Sequence, residues 1–140
     1  FGIIASIGTY YLQTLQYSIE SLFIGIIMGA LNVTLLIINN LRDAKQDSIS
    51  KKNTLIVIFG QIFGKLEFLF MIIVAYVCLY ILLLSLDIIY MIYCYIPLSL
   101  FIFSLIYRIS TNEKFIKRAL PFVSIHILLF TVLLSIIIII

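Results

Sequence analysis

Between Ile38 and Leu55 the chain gathers two carboxylates, Asp43 and Asp47, two adjacent amides, Asn39 and Asn40, and four cations, Arg42, Lys45, Lys51 and Lys52. Long apolar runs lie on either side. If the helix that brings the chain to Asn39 continues past it, Asp43 and Asp47 share a face, with Asn39 one turn before them. Like charges so placed repel, and a cation held between them relieves the repulsion. A hard, oxygen-seeking Mg²⁺ that also holds a substrate phosphate is the usual solution. Arg42, Lys51 and Lys52 add donors suited to phosphate oxygens. Asn39 and Asn40 interrupt an apolar helix near its end, where polar groups are expensive unless something uses them. The competing reading of these residues is an ordinary solvated loop.

The elements that must position this cluster are membrane helices. With 64% hydrophobic and 11% charged residues, the 140-residue chain lies far above the apolar content of a soluble domain, roughly 45–50%. Uncharged runs cover Ser21–Leu41, Phe68–Leu86, Ile88–Tyr107 and Ala119–Ile140, each near the roughly 20 residues that cross the hydrocarbon core. The shorter run Phe1–Tyr17 reads as part of one more span. The expected fold is therefore all-α, a polytopic transmembrane bundle of about five helices in the lipid bilayer, without a soluble domain or an internal repeat. The chain opens in apolar sequence, with neither an initiator methionine nor the charged flank of a signal peptide. Residues 1–140 are expected to be a piece of one larger membrane-embedded domain.

All nine Lys and Arg residues flank two connections, Arg42–Lys65 and Arg108–Arg118, whereas the connections near Glu20 and Asp87 carry none. With antiparallel helices the cations share one side. The positive-inside rule makes that side the cytoplasm and leaves Glu20, Asp87 and the C-terminus outside. Orientation thus accounts for the net charge of +3, and nucleic acid is a poor explanation for it.

Several smaller features have structural readings. Ser18 is positioned to cap the second helix, and Asn53 or Thr54 the helix running through Phe59 to Leu84. Gly25 and Gly29, and again Gly60 and Gly64, have the spacing that lets helices approach closely in lipid. Pro97 should kink its helix, while Pro121 sits early in the last span, where it is tolerated. Ser110–Arg118 reads as a cytoplasmic connection. Tyr90, Tyr93 and Tyr107 suit interfacial anchors. Cys78 and Cys94 read as small apolar filler, and His126 as a structural histidine with a local hydrogen bond.

Asn-Asn-Leu-Arg-Asp, three residues, Asp, four residues, then Lys-Asn-Thr-Leu, from Asn39 to Leu55, closely resembles the second aspartate-rich motif of the UbiA superfamily of intramembrane prenyltransferases. The segment Gly8-Thr9-Tyr10-Tyr11-Leu12-Gln13 is also similar to the family's sequence before its sixth helix. The resemblance implies a nine-helix fold of which this chain is the C-terminal half. No Asn-Asp pair occurs in the chain, so the family's first motif, Asn-Asp-x-x-Asp, is absent, and the segment alone is expected to be inactive. Lys51 stands where the family usually has glycine, a departure that bears on the local loop geometry.

By this resemblance Asp43 and Asp47 are the catalytic, Mg²⁺-binding carboxylates. Asn39, Asn40, Arg42, Lys51 and Lys52 bind the diphosphate of a polyprenyl diphosphate donor. The Asn-Asn-x-Arg-Asp opening and Lys-Asn-Thr-Leu ending look most like the family branch that uses 1,4-dihydroxy-2-naphthoate as acceptor for menaquinone synthesis. The implied location is the bacterial cytoplasmic membrane. Hydroxybenzoate or homogentisate acceptors are the alternatives within the family. A transporter subunit is the alternative outside it, and would place ionisable residues at mid-membrane depth rather than at the surface.

Overall fold

The structure, a computed structural model, describes residues 2–139. Phe1 and Ile140, the ends of the first and last apolar runs, lie outside the described residues. Among the described residues six α-helices follow one another: α1 (Ile3–Thr14), α2 (Ile19–Ile49), α3 (Leu55–Phe59), α4 (Gln61–Ser85), α5 (Ile96–Thr111) and α6 (Glu113–Ile139), with a 3₁₀ segment over Ile89–Tyr95 leading into α5. No strand occurs among the described residues. In hydrocarbon every backbone N–H and C=O must be satisfied within the protein, and helices do this locally. Four segments, α2, α4, Ile89–Thr111 and α6, are long and apolar enough to cross a membrane.

Helix α2 is the central element and packs against α1, α3, α4 and α6. Ser18 caps it, accepting a hydrogen bond from the Ser21 amide at 3.2 Å. Ile27, Leu31, Ile38 and Leu41 on one side of α2 are buried with Phe68, Ala75, Leu79 and Leu82 of α4 and Ala119, Val123 and Phe130 of α6. The opposite surfaces of the helices expose Ile73, Phe103 and Leu128, as a bundle in lipid requires.

Four local expectations need correction. Gly60 has φ 88° and nothing near the site of a Cβ, so it is not a close-packing glycine; it breaks the predicted helix into α3 and α4. Pro97 does not kink a helix interior. It sits in the first turn of α5, where a missing N–H costs nothing, and the residues before it wind as 3₁₀. The connection predicted over Ser110–Arg118 shrinks to Asn112, whose side chain caps α6 by accepting from the Lys114 amide at 3.0 Å. His126 is fully buried as expected, but its partner is remote: Nε2 lies 3.2 Å from the Tyr76 hydroxyl on α4, which pins α6 to α4 inside the apolar core.

Of the two glycine pairs, the first does what its spacing implies. A Cβ on Gly25 would meet the Ile3 Cα at 2.8 Å, and backbone cannot retreat as a side-chain tip can. Gly8, in the middle of α1, has open space around it. Gly25→Ala should therefore destabilise the protein by about 1–3 kcal/mol through overpacking. Gly8→Ala should stabilise it by about 0.5–1 kcal/mol through helix propensity. Thermal unfolding of the detergent-solubilised full-length protein reads both, and equal midpoints for the two variants would contradict this account of the α1–α2 crossing.

Candidate active site

A 31-residue helix is about 46 Å long, against a hydrocarbon core of roughly 30 Å, so α2 overshoots the bilayer. Its apolar run ends at Leu41. The overshoot, Arg42–Ile49, is built from good helix formers such as Ala44, Lys45 and Gln46 and contains no breaker. Asp43 and Asp47 consequently lie on the helix rather than in a loop, and they share a face.

At about 100° per residue, Asn32, Leu36, Asn39, Asn40, Asp43 and Asp47 fall within an arc of about 100°. The buried residues Leu31, Thr34, Ile38 and Leu41 lie on the other side of α2. Asn32 and Leu36 are exposed, Asn39, Asn40 and Asp43 are half-buried, and Asp47 is buried. A polar face thus runs from mid-helix to the overshoot, turned away from α4 and α6. Asn32 is the member that sequence reading missed. Its amide donates to the Met28 carbonyl at 2.8 Å; its spacing of four before Leu36 and seven before Asn39 was the available signal.

Each carboxylate has its own cation. The Arg42 guanidinium forks onto Asp43, with Nε to Oδ1 at 2.8 Å and Nη2 to Oδ2 at 2.9 Å. These hydrogen bonds hold the Asp43 carboxyl below the usual carboxylate range, so it is an anion near neutral pH. The Lys52 Nζ stands 3.4 Å and 3.5 Å from the two oxygens of Asp47.

Lys52 reaches Asp47 because of how α2 ends. The Lys52 amide donates to the Asp47 carbonyl at 2.9 Å and the Lys51 amide to that of Ser48 at 3.3 Å. Together these form the Schellman turn, which demands a left-handed residue between helix and loop. That residue is Lys51, at φ 57°. The chain then passes to Thr54, which caps α3 by accepting from the Val57 amide at 3.3 Å. Ile56 of α3 is buried over Gly64 and Leu41, folding α3 back beneath the end of α2 and α4.

The donor set suits a magnesium ion shared with a ligand, not a closed protein cage. Among the described residues no three His, Cys, Asp or Glu side chains come together, and α2 offers two carboxylates. Mg²⁺ is commonly held by one or two carboxylates, with phosphate oxygens and waters filling the remaining positions.

The sequence model of the UbiA prenyltransferase family matches residues 1–126. The chain belongs to the UbiA prenyltransferase family. Two curated relatives are similar to this UbiA-family chain, both described as 1,4-dihydroxy-2-naphthoate octaprenyltransferase. That of Haemophilus influenzae is 44% identical over 80 residues, covering 56% of this chain and 25% of the relative. That of Mycobacterium leprae is 42% identical over 60 residues, covering 43% of this chain and 20% of the relative. The match therefore spans a quarter or less of the length of those relatives. No solved structure matches the chain.

At its left-handed φ of 57° Lys51 is strained, because a residue with a Cβ meets its own backbone there and glycine does not. Lys51→Gly should raise stability by about 1 kcal/mol, whereas Lys51→Val, with a β-branch, should lower it. A thermal midpoint that falls for the glycine variant would show that the turn is not the one described.

Proposed function

We propose that this chain forms part of an intramembrane prenyltransferase that transfers a polyprenyl group from polyprenyl diphosphate to 1,4-dihydroxy-2-naphthoate, releasing carbon dioxide and diphosphate. The observation that carries the reading is the polar face of α2, on which Asn39, Asn40, Asp43 and Asp47 stand together with cations attached to both carboxylates. Family membership supports the reaction class, and the names of the two relatives support the acceptor and the menaquinone context.

In this proposal Asp43 and Asp47 would hold Mg²⁺, whose chemistry there is to neutralise charge on the diphosphate as it leaves. Arg42 and Lys52 are already seated on the two carboxylates, so each can turn part of its donor set to diphosphate oxygens. Asn39 and Asn40 offer amide donors one turn deeper, and Lys51 adds charge at the rim. Stabilising the leaving diphosphate favours breaking of the allylic carbon–oxygen bond. The resulting allylic carbon is attacked by the electron-rich ring at the position bearing the carboxylate, and loss of carbon dioxide restores aromaticity. The apolar groove between α1, α2 and α4, lined by Gly29, Val33, Phe70 and Val74, suits the isoprenoid tail. Surrounding apolar walls keep water from the cation.

A polar helix face turned toward lipid would be costly, so in the complete protein further helices would cover it and complete the site. We place the motif in the cytoplasmic membrane of a bacterium, with the cationic end inward. The structure gathers cations from α2 and α6 at one end of the bundle, and Lys65 at the start of α4 bonds the Ser110 carbonyl of α5 at 3.2 Å.

Two experiments test the proposal. In the full-length enzyme Asp43→Asn and Asp47→Asn keep size and hydrogen bonding but remove charge, and each should lower turnover on the order of 10²-fold. His126→Gln, in the packed core, should leave turnover near wild type. Near-wild-type rates in both aspartate variants would reduce the motif to a solvated helix end. For orientation, Ser48→Cys and Asn112→Cys should react with a membrane-impermeant thiol reagent only after the cytoplasmic face is opened; labelling in intact cells would reverse the topology.

A further inference from the structure

On the side of α2 away from the two carboxylates lies a second polar site, of which the prenyl-transfer reading uses Arg42 alone. A cleft between the inner ends of α2, α4 and α6 has an apolar floor of Leu41 and Ile116 and a rim of Arg42, Lys45, Lys114 and Lys117. Lys45 projects about 160° around α2 from Asp43. The cleft is therefore not another wall of the carboxylate site, although Arg42 stands between the two.

The charge in this cleft is unbalanced. The two ion pairs among the described residues engage Arg42 and Lys52, so Lys45, Lys114 and Lys117 have no such partner. Glu113 is the one acidic residue on the lining. Lys114 and Lys117, three apart on α6, repel each other across one turn, and Lys45 approaches from α2. Each of these lysines is exposed and tolerable in water, but cations converging from two helices make a site of positive potential that attracts an anion.

The position says which anion. Leu41 closes the apolar run of α2, and Ala119 opens that of α6, so the cleft lies at the boundary between hydrocarbon and headgroups. On the same face of α6 as Lys114 and Lys117 stand Ile125, Leu128 and Val132, all exposed. A cationic cradle with an apolar wall rising from it matches a molecule with a phosphate head and acyl chains. We infer that the α2–α4–α6 cleft binds the phosphodiester headgroup of an anionic membrane phospholipid, whose acyl chains lie along the Ile125–Leu128–Val132 face of α6. Basic pockets between transmembrane helices on the cationic side of a membrane protein characteristically hold such lipids.

Native mass spectrometry of the full-length protein, equilibrated with equimolar phosphatidylglycerol and phosphatidylcholine, tests this. The wild type should retain phosphatidylglycerol selectively. The combined variant Lys45→Gln, Lys114→Gln and Lys117→Gln, losing three cations near the surface, should lose this preference on the order of 100-fold. The matching triple arginine variant should keep it. On the unmutated protein, raising salt from low to about 1 M should erode the preference, because screening then acts within a few ångströms. An unchanged preference in the glutamine variant, or a salt-insensitive one in the wild type, would overturn the inference. Displacement of the lipid by millimolar inorganic phosphate would also overturn it, by making the cleft a site for soluble anions.

Discussion

The architecture depends on one constraint: α2 must satisfy three surroundings at once. One side is packed by α4 and α6 through Ile27, Leu31, Ile38 and Leu41. Its start accepts α1 at a distance only Gly25 allows. Its end extends past the bilayer, because the helix is about half as long again as the hydrocarbon is thick. The face left over carries the polar groups. Carboxylates that would be prohibitive at mid-membrane are affordable on the overshoot, where water and phosphate are within reach.

That overshoot also fixes its own electrostatics. Ending α2 in a Schellman turn brings the chain back toward the helix, and Lys52 is thereby delivered to Asp47 although the two lie five residues apart. Arg42 is adjacent to Asp43 and forks onto it. Neither pair adds much stability, since the Arg42 and Lys52 ends are open to water and pairs at the surface contribute about 0–1 kcal/mol. Their value is organisational: Arg42 holds the Asp43 carboxyl ionised, and both cations are fixed beside the carboxylates of the proposed diphosphate site.

The long-range plan was legible in the sequence because it rests on composition and spacing. Four spans, the capping by Ser18 and the shared face of Asp43 and Asp47 follow from hydropathy and a 3.6-residue period. What was not legible depends on backbone conformation at single residues. Gly60 carries the same letter whether it packs a helix or breaks one, and only its φ of 88° decides. Pro97 ends up in a first turn because the preceding Ile89–Tyr95 winds as 3₁₀, a choice that the apolar run Ile88–Tyr107 does not encode. The Tyr76 partner of His126 lies fifty residues away, beyond any local pattern. Asn32 was hidden for another reason: a lone amide in an apolar run gains meaning only when its face is traced down to Asp43.

The central claim is that the polar face of α2 lines a site for a prenyl diphosphate and Mg²⁺ rather than facing lipid. Leu36, between Asn32 and Asn39, reports on this face without belonging to the motif. In the full-length protein carrying Leu36→Cys, alkylation by a small thiol reagent should be blocked when a non-reactive prenyl diphosphate analogue and Mg²⁺ are added together. Neither should protect fully alone, and Ile73→Cys on the lipid-facing side of α4 should be indifferent to both. Equal alkylation of Leu36→Cys with and without the analogue and Mg²⁺ would contradict the account.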